Sequence, residues 1–136
     1  MEMISQEKIR ELVGAARTVR EKAYAPYSGF KVGAAVLASS GAIFTGCNVE
    51  NASFGLTICA ERSAVVCAVA SGERKFHALA IVSDAPEPAP PCGACLQVLV
   101  EFAGDIPVIL ENREGKRIVH TLHQLMPHQF HFRKEP

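Results

Sequence analysis

Neither sign of charge is in excess in this sequence: lysine plus arginine and aspartate plus glutamate number 14 each. The charges are interspersed, so no basic stripe is available to neutralise a run of phosphates, and a nucleic-acid polymer is a poor partner. No segment approaches the length of an apolar membrane span. Residues 1–22 alternate polar and apolar side chains without the basic-then-apolar order of a secretory leader. A cytoplasmic location with no membrane partner is the expectation. Internal repeats, low-complexity segments and a second domain are also missing. Cysteine is odd in number, five in 136 residues, which in a reducing compartment argues for metal binding, catalysis or burial over disulfide pairing. The remainder is 49% hydrophobic and 21% charged, the balance of a globular domain that can bury one core without staples.

The apolar pattern divides the chain into alternating elements. Ser5 caps a helix expected through about Ala23, with Ile9, Leu12, Val13, Ala16 and Val19 at helical spacing, and Ala25-Pro26-Tyr27-Ser28-Gly29 stops it. Phe30–Ala38 and Ala42–Cys47 read as two strands around a Ser39-Ser40-Gly41 turn. Asn48–Ile58 has no clear period. Cys59–Ser71 reads as a largely apolar helix ended by Gly72, and Ala78–Ser83 as a buried strand. The proline-rich stretch from Asp84 to Pro91 is a loop, Cys92–Phe102 a helix ended by Gly104, and Ile106–Glu111 a strand. Asn112-Arg113-Glu114-Gly115 turns into a short last strand at Arg117–Thr121, before a tail with room for a short helix. The order αββαβαββ predicts a single α/β domain over residues 1–136, a mixed five-stranded sheet with a parallel portion and helices on both faces.

Two cysteine clusters carry the chemistry. Cys59-Ala60-Glu61 opens one helix, and Pro91-Cys92-Gly93-Ala94-Cys95 opens the next. A helix N-terminus favours thiolate, the form that binds metal. Three thiolates leave a fourth tetrahedral position for water, which distinguishes a catalytic zinc from a closed structural one. Glu61, two residues beyond the first ligand, can approach that water without binding the metal. A Cys-x-Glu followed by Pro-Cys-x-x-Cys is the pattern of zinc deaminases. Alone, Cys92-Gly93-Ala94-Cys95 also reads as a thioredoxin-like redox pair; Cys59 and Glu61 upstream favour zinc. His77, His120, His123, His128 and His131 lie outside both clusters and read as surface or packing residues. Cys47 and Cys67 read as ordinary buried cysteines.

With Tyr24-Ala25-Pro26-Tyr27-Ser28-Gly29-Phe30-Lys31-Val32-Gly33-Ala34-Ala35, Gly46-Cys47-Asn48-Val49-Glu50-Asn51-Ala52 and Cys59-Ala60-Glu61-Arg62 added, nearly the whole chain resembles the small, homotetrameric cytidine deaminases. The resemblance implies one zinc per chain on Cys59, Cys92 and Cys95, Glu61 as proton shuttle, and cytidine and deoxycytidine as substrates. It implies that Asn48 and Glu50 bond the ribose hydroxyls and that Phe30 packs beside the nucleoside. Ala60 and Cys92 would offer backbone groups to the base. Ala52, Phe54 and Phe130, the last from a Leu-Met-Pro-x-x-Phe stretch, would contribute from neighbouring subunits of a homo-oligomer, expected to be a tetramer.

The expected chemistry is hydrolytic. Zinc brings the pKa of bound water to about 7, and a carboxylate can take that proton and pass it on. Hydroxide would attack C4 of the cytosine ring while Glu61 protonates N3 and then the departing amine, within pyrimidine salvage. Three thiolates leave the site net negative, and Arg62 stands where it can offset them. The resembling family commonly has a second arginine directly after the last zinc cysteine, where this chain has Leu96. A deaminase of a modified aminonucleoside, a non-enzymatic zinc-stabilised module and a Cys92/Cys95 redox protein stand as alternatives. Metal analysis with a thiol count is expected to find one tightly bound zinc per chain; metal-free protein with full activity would contradict the mechanism.

Overall fold

A computed structural model describes residues 4–132. The first helix, α1 (Gln6–Arg20), begins at Ser5, whose hydroxyl accepts from the Lys8 N–H. It ends three residues short of Ala23 because the last bonds tighten: Lys22 N–H reaches Val19 O and Ala23 N–H reaches Arg20 O, an i to i−3 pattern. Strands β1 (Val32–Ala38) and β2 (Ile43–Cys47) form the expected hairpin. The stretch without a period holds one short 3₁₀ turn, Phe54–Leu56, and two isolated bridges that tie Val49 to Tyr24 and to Ile58.

Helix α2 (Ala60–Ala70) starts on Cys59 and ends in a Schellman motif. Gly72 takes φ +101°, Glu73 N–H bonds Ala68 O, and Gly72 N–H bonds Val69 O. Strand β3 (Phe76–Ser83) leads through the proline loop to α3 (Gly93–Val100), then β4 (Pro107–Glu111), β5 (Arg117–Thr121) and α4 (Leu122–Leu125). The expected stop at Gly104 is corrected. The α3 helix ends at Val100 and is capped by Glu101, and Phe102 O turns outward to accept from Phe76 N–H.

The sheet order is β2-β1-β3-β4-β5. Only β3 and β4 run parallel, in the register Ala80 with Ile109; β1 is antiparallel to both β2 and β3. Alternation along the strands supplies two apolar faces. Ala35, Leu37, Ala80, Val82 and Ile109 pack under Ile9, Leu12, Val13 and Ala16 of α1. Ala34, Val36, Leu79, Ile81, Val108 and Leu110 pack under α2 and α3, against Ala64, Val65, Leu96 and Leu99. The three longer helices thus cover both faces, as the sequence pattern implies.

Helix-to-sheet distance is set by glycine at two points. A Cβ on Gly33 would lie 2.0 Å from Ala16 O, and one on Gly46 would lie 2.3 Å from Ala64 N. Both obstacles are helix backbone, which cannot turn aside. Gly46 thereby fixes how deeply the first turns of α2, and with them Cys59 and Glu61, lie on the sheet. Gly46→Ala is expected to lower the unfolding free energy by about 3 kcal/mol. Gly14→Ala, at an exposed position of α1 with no atom within 4 Å of the added methyl, is expected to raise it by about 0.5–1 kcal/mol. Chemical denaturation of both variants checks the pair.

Candidate metal centre and cavity

Because each cysteine cluster begins a helix, the sheet brings two helix N-termini to one place. Cys59 is the N-cap of α2 and Cys92 the N-cap of α3, with Cys95 in the first turn of α3. Their sulfur atoms all lie within 4.8 Å of one another. Cys59 Sγ is 3.9 Å from Cys92 Sγ, which is 3.3 Å from Cys95 Sγ. Thiolates around a tetrahedral zinc, with Zn–S near 2.3 Å, stand about 3.8 Å apart. The donor set and its spacing therefore fit a zinc ion held by three sulfurs. Among the described residues no histidine, aspartate, glutamate or further cysteine joins this cluster.

The site is electrostatically tuned before any metal arrives. A hydrogen bond from the Cys95 thiol holds the Cys59 thiol down to about 5, and Arg62 adds to the effect. Cys95 is pushed up in turn, by that same bond to Cys59 and by burial. Arg62 Nη2 lies 3.7 Å from Cys59 Sγ and 3.5 Å from Thr57 O. Glu61, the second residue of α2, is 7% exposed. Burial raises its carboxyl above the usual range, and the nearby Cys59 thiolate raises it further.

A cavity of about 260 Å³ opens over these groups. Its lining includes Cys59, Ala60, Glu61 and Cys92 together with Phe30, Asn48 and Thr57. Phe30 is 39% exposed, so it is a wall of this cavity and not a core residue. Asn48 is buried, and its side chain is more than a turn residue's. Its Oδ1 accepts from Val32 N–H at 2.9 Å and its Nδ2 donates to Phe30 O at 2.8 Å, holding the segment that carries Phe30. One Nδ2 hydrogen and one lone pair remain for a ligand.

A second cavity of about 230 Å³ is lined by Tyr27, Ser28, Glu50, Phe54 and Thr57, and Thr57 is common to both. Glu50 accepts from the N–H groups of Tyr27 and Ser28 and from the Ser28 hydroxyl. The Ser28 hydroxyl bond is the main reason its carboxyl lies below the ordinary range. Phe54 faces Tyr27 edge-on at 5.6 Å between ring centres. Ala52 and Phe130 are exposed and line neither cavity.

Two expectations change. Cys67 is exposed because α2 turns one side of an almost wholly apolar helix away from the sheet, and Cys47, the last residue of the edge strand β2, is half-buried. Leu96 is 7% exposed and packs in the core beneath α2 and α3, so an arginine at that position would be buried among apolar groups. The lining residues Thr57, Ile81, Ser83, Ala89 and Pro90 carry no motif signal, apart from the nearness of Pro90 to the Pro91-Cys92 cluster.

Residues 6–110 match the cytidine and deoxycytidylate deaminase zinc-binding region. A cytidine deaminase from Sporosarcina psychrophila is 47% identical over 123 residues, 90% of this chain and 90% of that one. A probable cytidine deaminase from Dictyostelium discoideum is 43% identical over 128 residues, covering 93% and 86%. The crystal structure of cytidine deaminase from Burkholderia pseudomallei superposes with a TM-score of 0.86 at 46% identity, covering 93% of this chain and all of that one.

The raised Glu61 carboxyl has a consequence for stability. A folded-state pKa above the unfolded one means that the native protein binds the proton more tightly, so stability falls as pH rises from the unfolded value through the folded one. Glutamine does not titrate. In metal-free protein, Glu61→Gln is expected to be more stable than the parent at pH 7, with the gap closing as pH falls through the raised folded value and gone by about 4.5. Denaturant midpoints measured across pH check this, and a gap that is constant with pH would contradict it.

Proposed function

The chain belongs to the cytidine and deoxycytidylate deaminase family, and from that membership we propose that it hydrolyses cytidine and 2′-deoxycytidine to uridine and 2′-deoxyuridine with release of ammonia. The observation that carries this reading is the convergence of three cysteine sulfurs and a buried glutamate beside a nucleoside-sized cavity. Cys59, Cys92 and Cys95 would hold one zinc per chain. Zinc held there supplies the Lewis acidity that makes water a nucleophile near neutral pH.

The protein's own residues do the rest. Glu61 takes a proton from the attacking water, delivers it to N3 of the cytosine ring and then carries one to the departing amine. Its raised affinity for a proton suits a group that must both accept and give one. Arg62 offsets the charge of the sulfurs from outside the cavity, and the Ala60 and Cys92 backbone faces the base. Phe30 lies along the nucleoside, and Asn48 and Glu50 bond the sugar hydroxyls.

The lining also bears on nucleoside against nucleotide. Neither cavity is lined by lysine or arginine, and the second carries Glu50. A substrate phosphate would meet a carboxylate and no cation, which favours the free nucleoside. Large apolar side chains stand exposed, Phe54 at 72%, Leu56 at 65% and Phe130 at 69%, as expected of surfaces that meet other copies. A homotetramer, with Ala52, Phe54 and Phe130 completing neighbouring sites, fits them. A cytoplasmic role in pyrimidine salvage belongs to the same proposal.

Loss of ultraviolet absorbance on incubation with cytidine tests the activity. Glu61→Ala is expected to retain zinc and fold while losing at least about 10³-fold in turnover. A loss within about tenfold, or 1.4 kcal/mol of barrier, would be too small for a proton shuttle. Deoxycytidine 5′-monophosphate is expected to be at least about 100-fold worse in kcat/KM than deoxycytidine. A fully active monomer at assay concentration would contradict the shared sites.

A further inference from the structure

Ala89 and Pro90 wall the cavity beside Cys92, within a segment poorly equipped to hold itself. Pro86, Pro88, Pro90 and Pro91 have no backbone N–H. Stretches of this kind depend on donors brought to their carbonyls from elsewhere. Asn112, just beyond β4, supplies one. It is 3% exposed, and its Nδ2–H donates to Pro86 O at 2.7 Å. Its Oδ1 accepts from Lys116 N–H at 2.7 Å. Its backbone is fixed in the β4–β5 turn, with Asn112 N–H on Lys116 O at 2.9 Å and Gly115 N–H on Asn112 O at 3.2 Å. The turn therefore fixes the carbonyl end of the carboxamide and points the amide end at the loop. The other link between the same elements, Lys116 Nζ to Glu87 Oε2 at 2.6 Å, joins side chains 57% and 69% exposed, and such pairs hold little.

We infer that Asn112 is a positioning residue for the reaction: it holds the proline loop so that Ala89 and Pro90 close the cavity at its metal-binding end. This role rests on the assignment of the cavity to cytidine. A wall that touches the bound base equally before and during reaction acts on KM more than on kcat. Being next to Cys92, it also bounds the space around the exocyclic amine, so its displacement should relax discrimination there.

The test is kinetics on zinc-loaded Asn112→Ala, Asn112→Asp and Lys116→Ala, with the parent enzyme alongside. Asn112→Asp keeps the acceptor for Lys116 N–H but sets a carboxylate oxygen against Pro86 O, so the turn survives while the loop is released. Should Asn112→Ala fail to fold, Asn112→Asp decides. Both Asn112 variants are expected to raise KM for cytidine about tenfold with kcat within about threefold of the parent. They should also narrow the kcat/KM preference for cytidine over N4-methylcytidine by at least about threefold. Lys116→Ala should change neither. A lowered melting temperature with KM and preference unchanged, or a fall in kcat at constant KM, would overturn the positioning role. Parent enzyme inactive on cytidine would overturn the site assignment and this role with it.

Discussion

Three cysteine sulfurs brought within 4.8 Å of one another repel as thiolates, and much of the fold is disposed to make their meeting tolerable. Two helix N-termini point at the cluster, each offering unpaired N–H groups and the positive end of its dipole. Arg62 adds a full positive charge against Cys59. Without metal, Cys95 holds its proton more tightly than a free thiol and shares it with Cys59, and metal binding would release it. This balance requires α2 and α3 to start at the same end of the sheet and at fixed depth. The parallel β3–β4 pair places α3, and the close approach at Gly46 places α2. With Leu96 in the core, Arg62 is the cation that touches this cluster among the described residues.

The same placement makes Glu61 a compromise. Its carboxyl is buried beside thiolate, which raises its proton affinity and weakens the fold whenever it is charged. A residue chosen for stability alone would be neutral there. The neighbouring cavity shows the opposite treatment: Glu50 is met by two N–H groups and a hydroxyl, and its carboxyl lies below the usual range. Two glutamates eleven positions apart thus hold opposite protonation tendencies. In the proposed reaction that divergence would suit one to move protons and the other to accept hydrogen bonds from a sugar.

The features visible in the sequence are those whose signals are local. Helix starts at Cys59 and Cys92, the spacing of Glu61 and the two-residue and 3.6-residue periods all lie within a few positions of one another. The features missed depend on register and packing. Thr57 sits in a stretch with no period, and Ser83 and Ile81 reach the cavity only because β3 runs in a particular register beside β1. Asn112 reads as the first residue of a turn, which it is, but its burial and its bond to Pro86 follow from where β4 ends relative to the proline loop. Cys67 reads as buried in the sequence because α2 is apolar nearly all round, and periodicity cannot tell a covered apolar face from one left open.

The proposed chemistry requires three sulfurs and one open position at the metal. Zinc-edge X-ray absorption on the purified protein measures this directly, since it counts sulfur and light-atom neighbours and their distances. Three sulfurs near 2.3 Å with one oxygen near 2.0 Å are predicted for the enzyme without substrate. Four sulfurs, or three sulfurs with a histidine nitrogen, would close the reactive position and contradict the account.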